Sequence, residues 1–248
     1  MLKSRKLWDL REFNKINLPE IIDTISEKRI FSHQNSIRIL DMPLHMPGQG
    51  WHIHKEVMQF LEILDKAFLA ECQYDGHIDN LYCYITVDQK QVLDGKTQRR
   101  PGAHADAYIE AYGVQVDVIP ENIESLRQQH GEVSHTYICY DVLPTEFFLD
   151  KFPLYSPKCE DTLSAFDVIA ANAPIYTYPA YTILRLDPYV VHRCAIAKFD
   201  TPRTFVKISF STKKYNRAGN TINDLFDYNW EMVPRGSTRN HPWAEGIL

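Results

Sequence analysis

Apolar residues recur at Val57, Phe60, Leu61, Leu64 and Phe68 within HKEVMQFLEILDKAFLAECQ, residues 54–73. Spacings of three and four put these positions on one stripe and predict an amphipathic helix packed on a large surface, for which a sheet is the natural partner. LPEIIDTISEK, residues 18–28, has a proline near its start and apolar positions at helical spacing, so it also reads as a helix. From residue 81 the texture changes. NLYCYITVDQ, HADAYIEAYG, VQVDVI and HTYICYDV have the β-branched and aromatic content of strands, and PENIESLRQQHG interrupts them as a helix with Pro120 in its first turn. A further helix is expected over EDTLSAFDVIAANA. Short strands are expected at PIYTY, YTILRLD, YVVHRCAIA and TFVKISFS, separated by Asp-Pro or by FDTPR.

Many closely spaced short strands, with helices mostly collected ahead of them, predict a mostly β sandwich or barrel braced by helices rather than a βαβ sheet. The expected organisation is one domain over 1–248. Residues 1–79 form a mainly helical brace, 80–212 the β core, and 213–248 a polar arm with one short helix near INDLFDY. With 248 residues, 44% hydrophobic and 24% charged, the chain is long and apolar enough for a full core. A net charge of −5 argues against non-specific binding to nucleic acid. Five cysteines without a CxxC pair read as reduced thiols, the first residues lack the apolar run of a secretion signal, and no run reaches the ~20 residues that cross a bilayer. These point to a cytoplasmic protein with no membrane partner. The oligomeric state stays open.

Chemistry enters at PGAHADAYIE, residues 101–110. On an extended segment His104 and Asp106 point to the same side, so an imidazole and a carboxylate face one point. A metal of intermediate softness such as Fe(II) accepts nitrogen and oxygen donors, and a third protein ligand on one face leaves three positions open. His192, in DPYVVHRCAIA, is the best third ligand. The plain alternative is a local turn contact for the HxD pair and a satisfied core histidine at 192. Downstream, Arg203, Phe205, Lys207 and Ser209 share one face of the last strand, and cations brought in beside a metal call for an acid. An arginine fork matches a carboxylate with two parallel hydrogen bonds, which a lysine cannot do.

His104, Asp106, His192 and Arg203, in that order and at those separations, resemble the HxD…H…R pattern of the Fe(II)- and 2-oxoglutarate-dependent dioxygenases. The likeness spans about residues 80–212. It implies a double-stranded β-helix core of the jelly-roll or cupin-like kind, with Fe(II) on His104, Asp106 and His192. It further implies 2-oxoglutarate as cosubstrate with its far carboxylate on Arg203, dioxygen as oxidant, and hydroxylation of an unactivated C–H bond. Desaturation and ring formation remain open outcomes. An aspartate at 106 favours oxygen transfer over halogenation. Lys207 is the second candidate for the far carboxylate, and Tyr137, among Thr136, Tyr137 and Tyr140, a candidate hydroxyl donor to the cosubstrate.

The substrate expected is a small molecule, such as an amino acid or a natural-product intermediate, with a peptide or nucleobase left open. Arg99 and Arg100 form either a solvated turn or a pocket-mouth cation for a substrate carboxylate or phosphate; Arg100 and Tyr108 are carried as candidates. His52 and His54 with Glu56 form a rival i, i+2 pair at a loop-to-helix junction. A cupin-type metal-binding protein or isomerase without 2-oxoglutarate, and a non-catalytic barrel scaffold, are the competing functions. HExxH, G-x-S-x-G, Walker and dinucleotide-binding patterns are absent.

Overall fold

The computed structural model describes residues 5–6, 9–26, 36–74, 78–106, 133–153 and 162–234. Their strands are β1 (Glu20–Thr24), β2 (Ile37–Met46), β3 (Gly50–Trp51), β4 (Tyr82–Val92), β5 (His135–Tyr140), β6 (Glu146–Phe148), β7 (Ile175–Tyr176), β8 (Thr182–Leu186), β9 (His192–Arg193) and β10 (Thr201–Ser211). Two α-helices accompany them, α1 (Leu61–Cys72) and α2 (Thr162–Ala170). The strands build two antiparallel sheets, a larger one in the order β1-β8-β5-β10-β4-β2-β3 and a smaller one in the order β7-β6-β9. β10 is the spine of the larger sheet, paired with β4 from Thr201↔Val92 to Ser211↔Tyr82 and with β5 from Phe205↔Tyr140 to Phe210↔His135.

Alternation along β10 sorts its residues between two compartments. Val206, Ile208 and Phe210 pack against α1 through Ile63, Leu64 and Ala67, joined by Ile85 and Val87 of β4. Each such side chain, fully withdrawn from water, contributes roughly 1.5–3 kcal/mol. Phe205, on the opposite face, joins Ile138, Tyr140, Phe147, Leu186 and Val190 between the sheets. A third cluster, with Phe148, Phe152, Phe166 and Val191, ties α2 to the smaller sheet. The layers therefore run α1, larger sheet, smaller sheet, α2. No helix among the described residues is long and apolar enough to cross a membrane.

Residues 54–73 are helical, a short 3-10 segment at Lys55–Phe60 leading into α1, with Val57, Phe60 and Leu64 buried. LPEIIDTISEK does not form a helix over its described part: Glu20–Thr24 is β1, paired with β8. Ile21, Ile22 and Thr24 are β-branched and favour the pleated conformation once a neighbouring strand is available. The segment 1–79, expected to be a helical brace, supplies three strands of the larger sheet. INDLFDY is not helical. Asn223 donates instead to the carbonyls of Pro43 (2.8 Å) and His52 (2.9 Å), and Thr221 bonds to Leu40, so this part of the arm is spread along β2. Of HADAYIEAYG, expected as a strand, only 104–106 are described, with an isolated bridge at His104 and a turn at Asp106. The rest of that strand, VQVDVI and the helix expected over 120–131 lie outside the described residues, as does Tyr108.

Candidate metal centre

His104 and His192 meet through their backbones. The His104 N–H donates to the His192 carbonyl (2.9 Å) and the His192 N–H to the His104 carbonyl (2.8 Å). A reciprocal antiparallel pair projects both side chains to the same side, and the two imidazole centroids lie 4.6 Å apart. Each ring is held the same way. His104 Nδ1 donates to the Gly102 carbonyl (3.1 Å) and His192 Nδ1 to the Val190 carbonyl (3.0 Å). Carbonyls only accept, so both rings carry their proton on Nδ1 when neutral, and the lone pair sits on Nε2. This is how metal-binding histidines are commonly oriented.

Asp106 completes the set: the donor atoms of His104, Asp106 and His192 all lie within 4.8 Å of one another. Two donors each ~2.1 Å from one ion are at most ~4.2 Å apart, so a side-chain adjustment of under about 1 Å closes the set on a metal. Burial pushes the Asp106 carboxyl up, but Lys207, His192, His104 and Arg99 outweigh it and hold the group well below the usual carboxylate range. Burial also lowers His192, with Asp106 only partly offsetting it, which keeps the ring in the neutral form that ligates. Asp106 is therefore a carboxylate at neutral pH and His192 a neutral imidazole. The donor chemistry suits an intermediate metal, Fe(II) among them.

Neighbouring elements hold these ligands. Asp167 of α2 accepts from the Ala103 N–H (2.6 Å), fixing the segment that delivers His104. Gly102 has φ +92°, and a Cβ there would stand 2.9 Å from Asp167 Oδ2, so this turn admits only glycine without strain. Glu146 of β6 binds Arg193 (2.6 Å) next to His192, and Phe147 packs on the His192 ring.

Arg203 and Lys207 both face the inter-sheet side of β10, with distinct partners. Arg203 is buried. Its Nε donates to the carbonyls of Val142 (2.9 Å) and Leu143 (3.1 Å), its Nη1 is bound to Gln98 Oε1, and its Nη2 is buried without a hydrogen-bond partner among the described residues. Lys207 Nζ lies 3.4 Å from Asp41 Oδ1. Asp41 sits at a bulge in β2, with φ +43° and its carboxylate also accepting from Thr86 (2.9 Å), which aims it at the lysine.

Tyr137, carried as a cosubstrate ligand, is on the other face of β5. It packs in the α1 cluster and its hydroxyl donates to Glu71 (2.6 Å). Ile138 and Tyr140, its alternating neighbours, are the residues that face between the sheets. Arg100 is exposed, whereas Arg99 turns inward over Phe205. His52 and His54 do not converge: His52 bonds to the Gln49 carbonyl and stacks on Phe226, while His54 caps the 3-10 segment. Gln98, Asp41 and Asp167 were not singled out by sequence reasoning. Only the fold brings them to the site.

No family model matches the chain, and no curated protein does. Among solved structures, similarity is found to EvdMO1, with 10% identity and a TM-score of 0.42 over 82% of this chain and 49% of that one. The chain thus spans about half the length of EvdMO1. EvdO2 from Micromonospora carbonacea var. aurantiaca, complexed with 2-oxoglutarate, shares 14% identity at a TM-score of 0.43, covering 85% of this chain and 93% of that one. SnoN, a non-heme alpha ketoglutarate dependent epimerase from nogalamycin biosynthesis, shares 12% at 0.40, covering 86% and 84%. These likenesses are distant, and the chemistry of the site stands on its own residues.

Proposed function

We propose that this chain is an Fe(II)- and 2-oxoglutarate-dependent dioxygenase, built on a double-stranded β-helix core, that hydroxylates a C–H bond of a small molecule. The observation that carries this reading is the His104, Asp106, His192 donor set together with a buried arginine on the inter-sheet face of β10 that has an unpartnered nitrogen among the described residues. A buried guanidinium N–H without an acceptor costs free energy, and an incoming carboxylate removes that cost.

Fe(II) with a keto acid supplies the oxidising chemistry when bound; the residues of the chain place the reactants. His104 and His192 offer Nε2, and Asp106 an ionised oxygen. Three donors on one side leave room for a bidentate keto acid and dioxygen. Arg203 takes the far carboxylate through Nη2, while Gln98 and the 142–143 carbonyls keep the fork from swinging away. Lys207, already answered by Asp41, shapes the local potential and is the weaker anchor. Phe147, Phe205 and Tyr140 keep water from the space between the sheets.

Anaerobic titration tests this directly, because a keto acid chelated to Fe(II) absorbs visible light without any primary substrate. The expected result is one Fe(II) per chain, a visible band on adding 2-oxoglutarate, and succinate on admitting dioxygen. His104→Ala, Asp106→Ala and His192→Ala should each weaken iron binding severely. Arg203→Ala should keep iron and lose roughly thirty-fold or more in 2-oxoglutarate affinity, the result of leaving a buried carboxylate unpaired at roughly 2–5 kcal/mol. Lys207→Ala should lose less; the reverse order would make Lys207 the anchor. Absence of the band in folded, iron-loaded protein overturns the assignment.

A further inference from the structure

Arg99 is the cation that the proposed chemistry leaves unused. Gln98, next to it, donates to the carbonyls of Asp88 (2.7 Å) and Arg203 (2.9 Å) and so pins this loop to β4 and β10. Pinned there, Arg99 is half-buried, its guanidinium carbon 5.2 Å from the centroid of the Phe205 ring. Arg203 approaches the same ring at 5.3 Å. Two guanidinium groups thus flank one phenyl ring at the site. Phe205 packs in the same inter-sheet cluster as Phe147, whose ring lies against His192, so Arg99 stands over the compartment that His192 faces.

Of the nearby acids, Asp88, opposite Phe205 on β4, pairs with Lys90 (3.5 Å) and keeps one buried oxygen without a hydrogen bond among the described residues. Asp106 belongs to the metal set, Asp41 to Lys207 and Thr86, and Asp141 accepts from the N–H groups of Val142 and Thr204. Arg99 forms no ion pair or side-chain hydrogen bond among the described residues; its guanidinium contact is the Phe205 face. On the reading above, a divalent metal, the Asp106 carboxylate and a dianionic cosubstrate together carry one negative charge, which Arg203 balances. Asp41 balances Lys207. Arg99 is left as the cation of this face that no acid contacts among the described residues.

We propose that Arg99 is the substrate-recognition residue of this site and that the substrate carries an oxyanion, a carboxylate, sulfonate or phosphate, held by the Arg99 fork. The inference rests on the proposed function for the identity of the site, but its geometry concerns Arg99 alone. A planar fork braced by an aromatic face loses little freedom on gripping two oxygens, which distinguishes it from a flexible lysine.

The test uses acetate, methanesulfonate and inorganic phosphate, titrated by calorimetry into the protein loaded with Zn(II) in place of iron, with and without 2-oxoglutarate; no turnover is needed. With 2-oxoglutarate present, at least one probe should bind the wild type, and Arg99→Ala and Arg99→Lys should weaken it by about tenfold or more. The 2-oxoglutarate affinity should stay within about twofold. The preferred probe identifies the oxyanion. Equal probe affinity in wild type and Arg99→Ala, or no binding of any probe to the wild type, overturns the proposal. A large loss of 2-oxoglutarate affinity in Arg99→Ala also overturns it, by assigning Arg99 to the cosubstrate. If the wild type itself fails to bind 2-oxoglutarate, the dioxygenase reading falls, while the probe titrations without it still decide whether Arg99 holds an oxyanion.

Discussion

Replacing Gln98 by methionine keeps the length and volume of the side chain but removes its polar end. In the folded protein that end accepts from Arg203 Nη1 and donates to the carbonyls of Asp88 and Arg203, all in a buried position. The bond to the charged guanidinium is worth about 1.5–3 kcal/mol and each neutral one about 1 kcal/mol, giving roughly 3–5 kcal/mol in all. For a chain of this size 1 kcal/mol moves the melting temperature by about 2–4 °C, so the variant should melt roughly 6–20 °C lower. It should also bind 2-oxoglutarate more weakly, because Arg203, already carrying one unpartnered nitrogen, would then have two. Thermal unfolding followed by circular dichroism reads the first effect, and anaerobic titration of the Fe(II) protein the second. A melting temperature within about 3 °C of wild type, together with unchanged 2-oxoglutarate affinity, would refute the claim that Gln98 clamps Arg203.

Glu71 is fully buried and bound by Arg5, His135 (3.0 Å) and Tyr137. Burial pushes its carboxyl up, but His135, Arg5 and Tyr137 bring it below its ordinary value of 4.5. Its contribution is therefore complete above about pH 5 and lost as pH falls through the lowered folded value, so urea midpoints of Glu71→Gln should depend less on pH below about 5 than those of wild type. Tyr137→Phe should lower stability by about 1–3 kcal/mol in urea unfolding, yet leave 2-oxoglutarate affinity unchanged in the same titration, since the hydroxyl serves Glu71. Gly102→Ala should cost about 1–3 kcal/mol, from φ +92° and the contact with Asp167, and should weaken Fe(II) binding by disturbing His104.

Legibility in the sequence followed the regularity of the local pattern. α1, β4, β5 and β10 are regular elements with a clear apolar face or a β-rich composition, and they read directly. β2 did not, because Pro43 and the bulge at Asp41 break its alternation. β1 was hidden for the opposite reason: its isoleucines fit a helical spacing, and pairing with β8 decides the matter. His104 and Asp106 stood out as a pair by their i, i+2 spacing, whereas His192, 88 positions on, was tied to them through the resemblance to the HxD…H…R pattern. The face of Tyr137 was not legible, since every residue of HTYICY is buried and no polar alternation marks an inside. Sequence reasoning favoured Arg100, whereas it is Arg99 that lies over Phe205, because Gln98 is anchored to strands distant in the chain.

If the proposed metal binds, the reciprocal hydrogen bonds between His104 and His192 set the thermodynamics of its uptake. The two residues are 88 positions apart, and bringing the ends of a flexible chain of that length together costs roughly 4 kcal/mol in configurational entropy. In a domain where the metal itself gathers the ligands, that cost falls on metal binding, and the apoprotein is unfolded. Here the backbone bridge meets it during folding, before any ion arrives. On the proposed function, metal entry would be the docking of an ion into a prepared seat, with a small change in heat capacity. Chelation should then release the metal and leave the sheets standing.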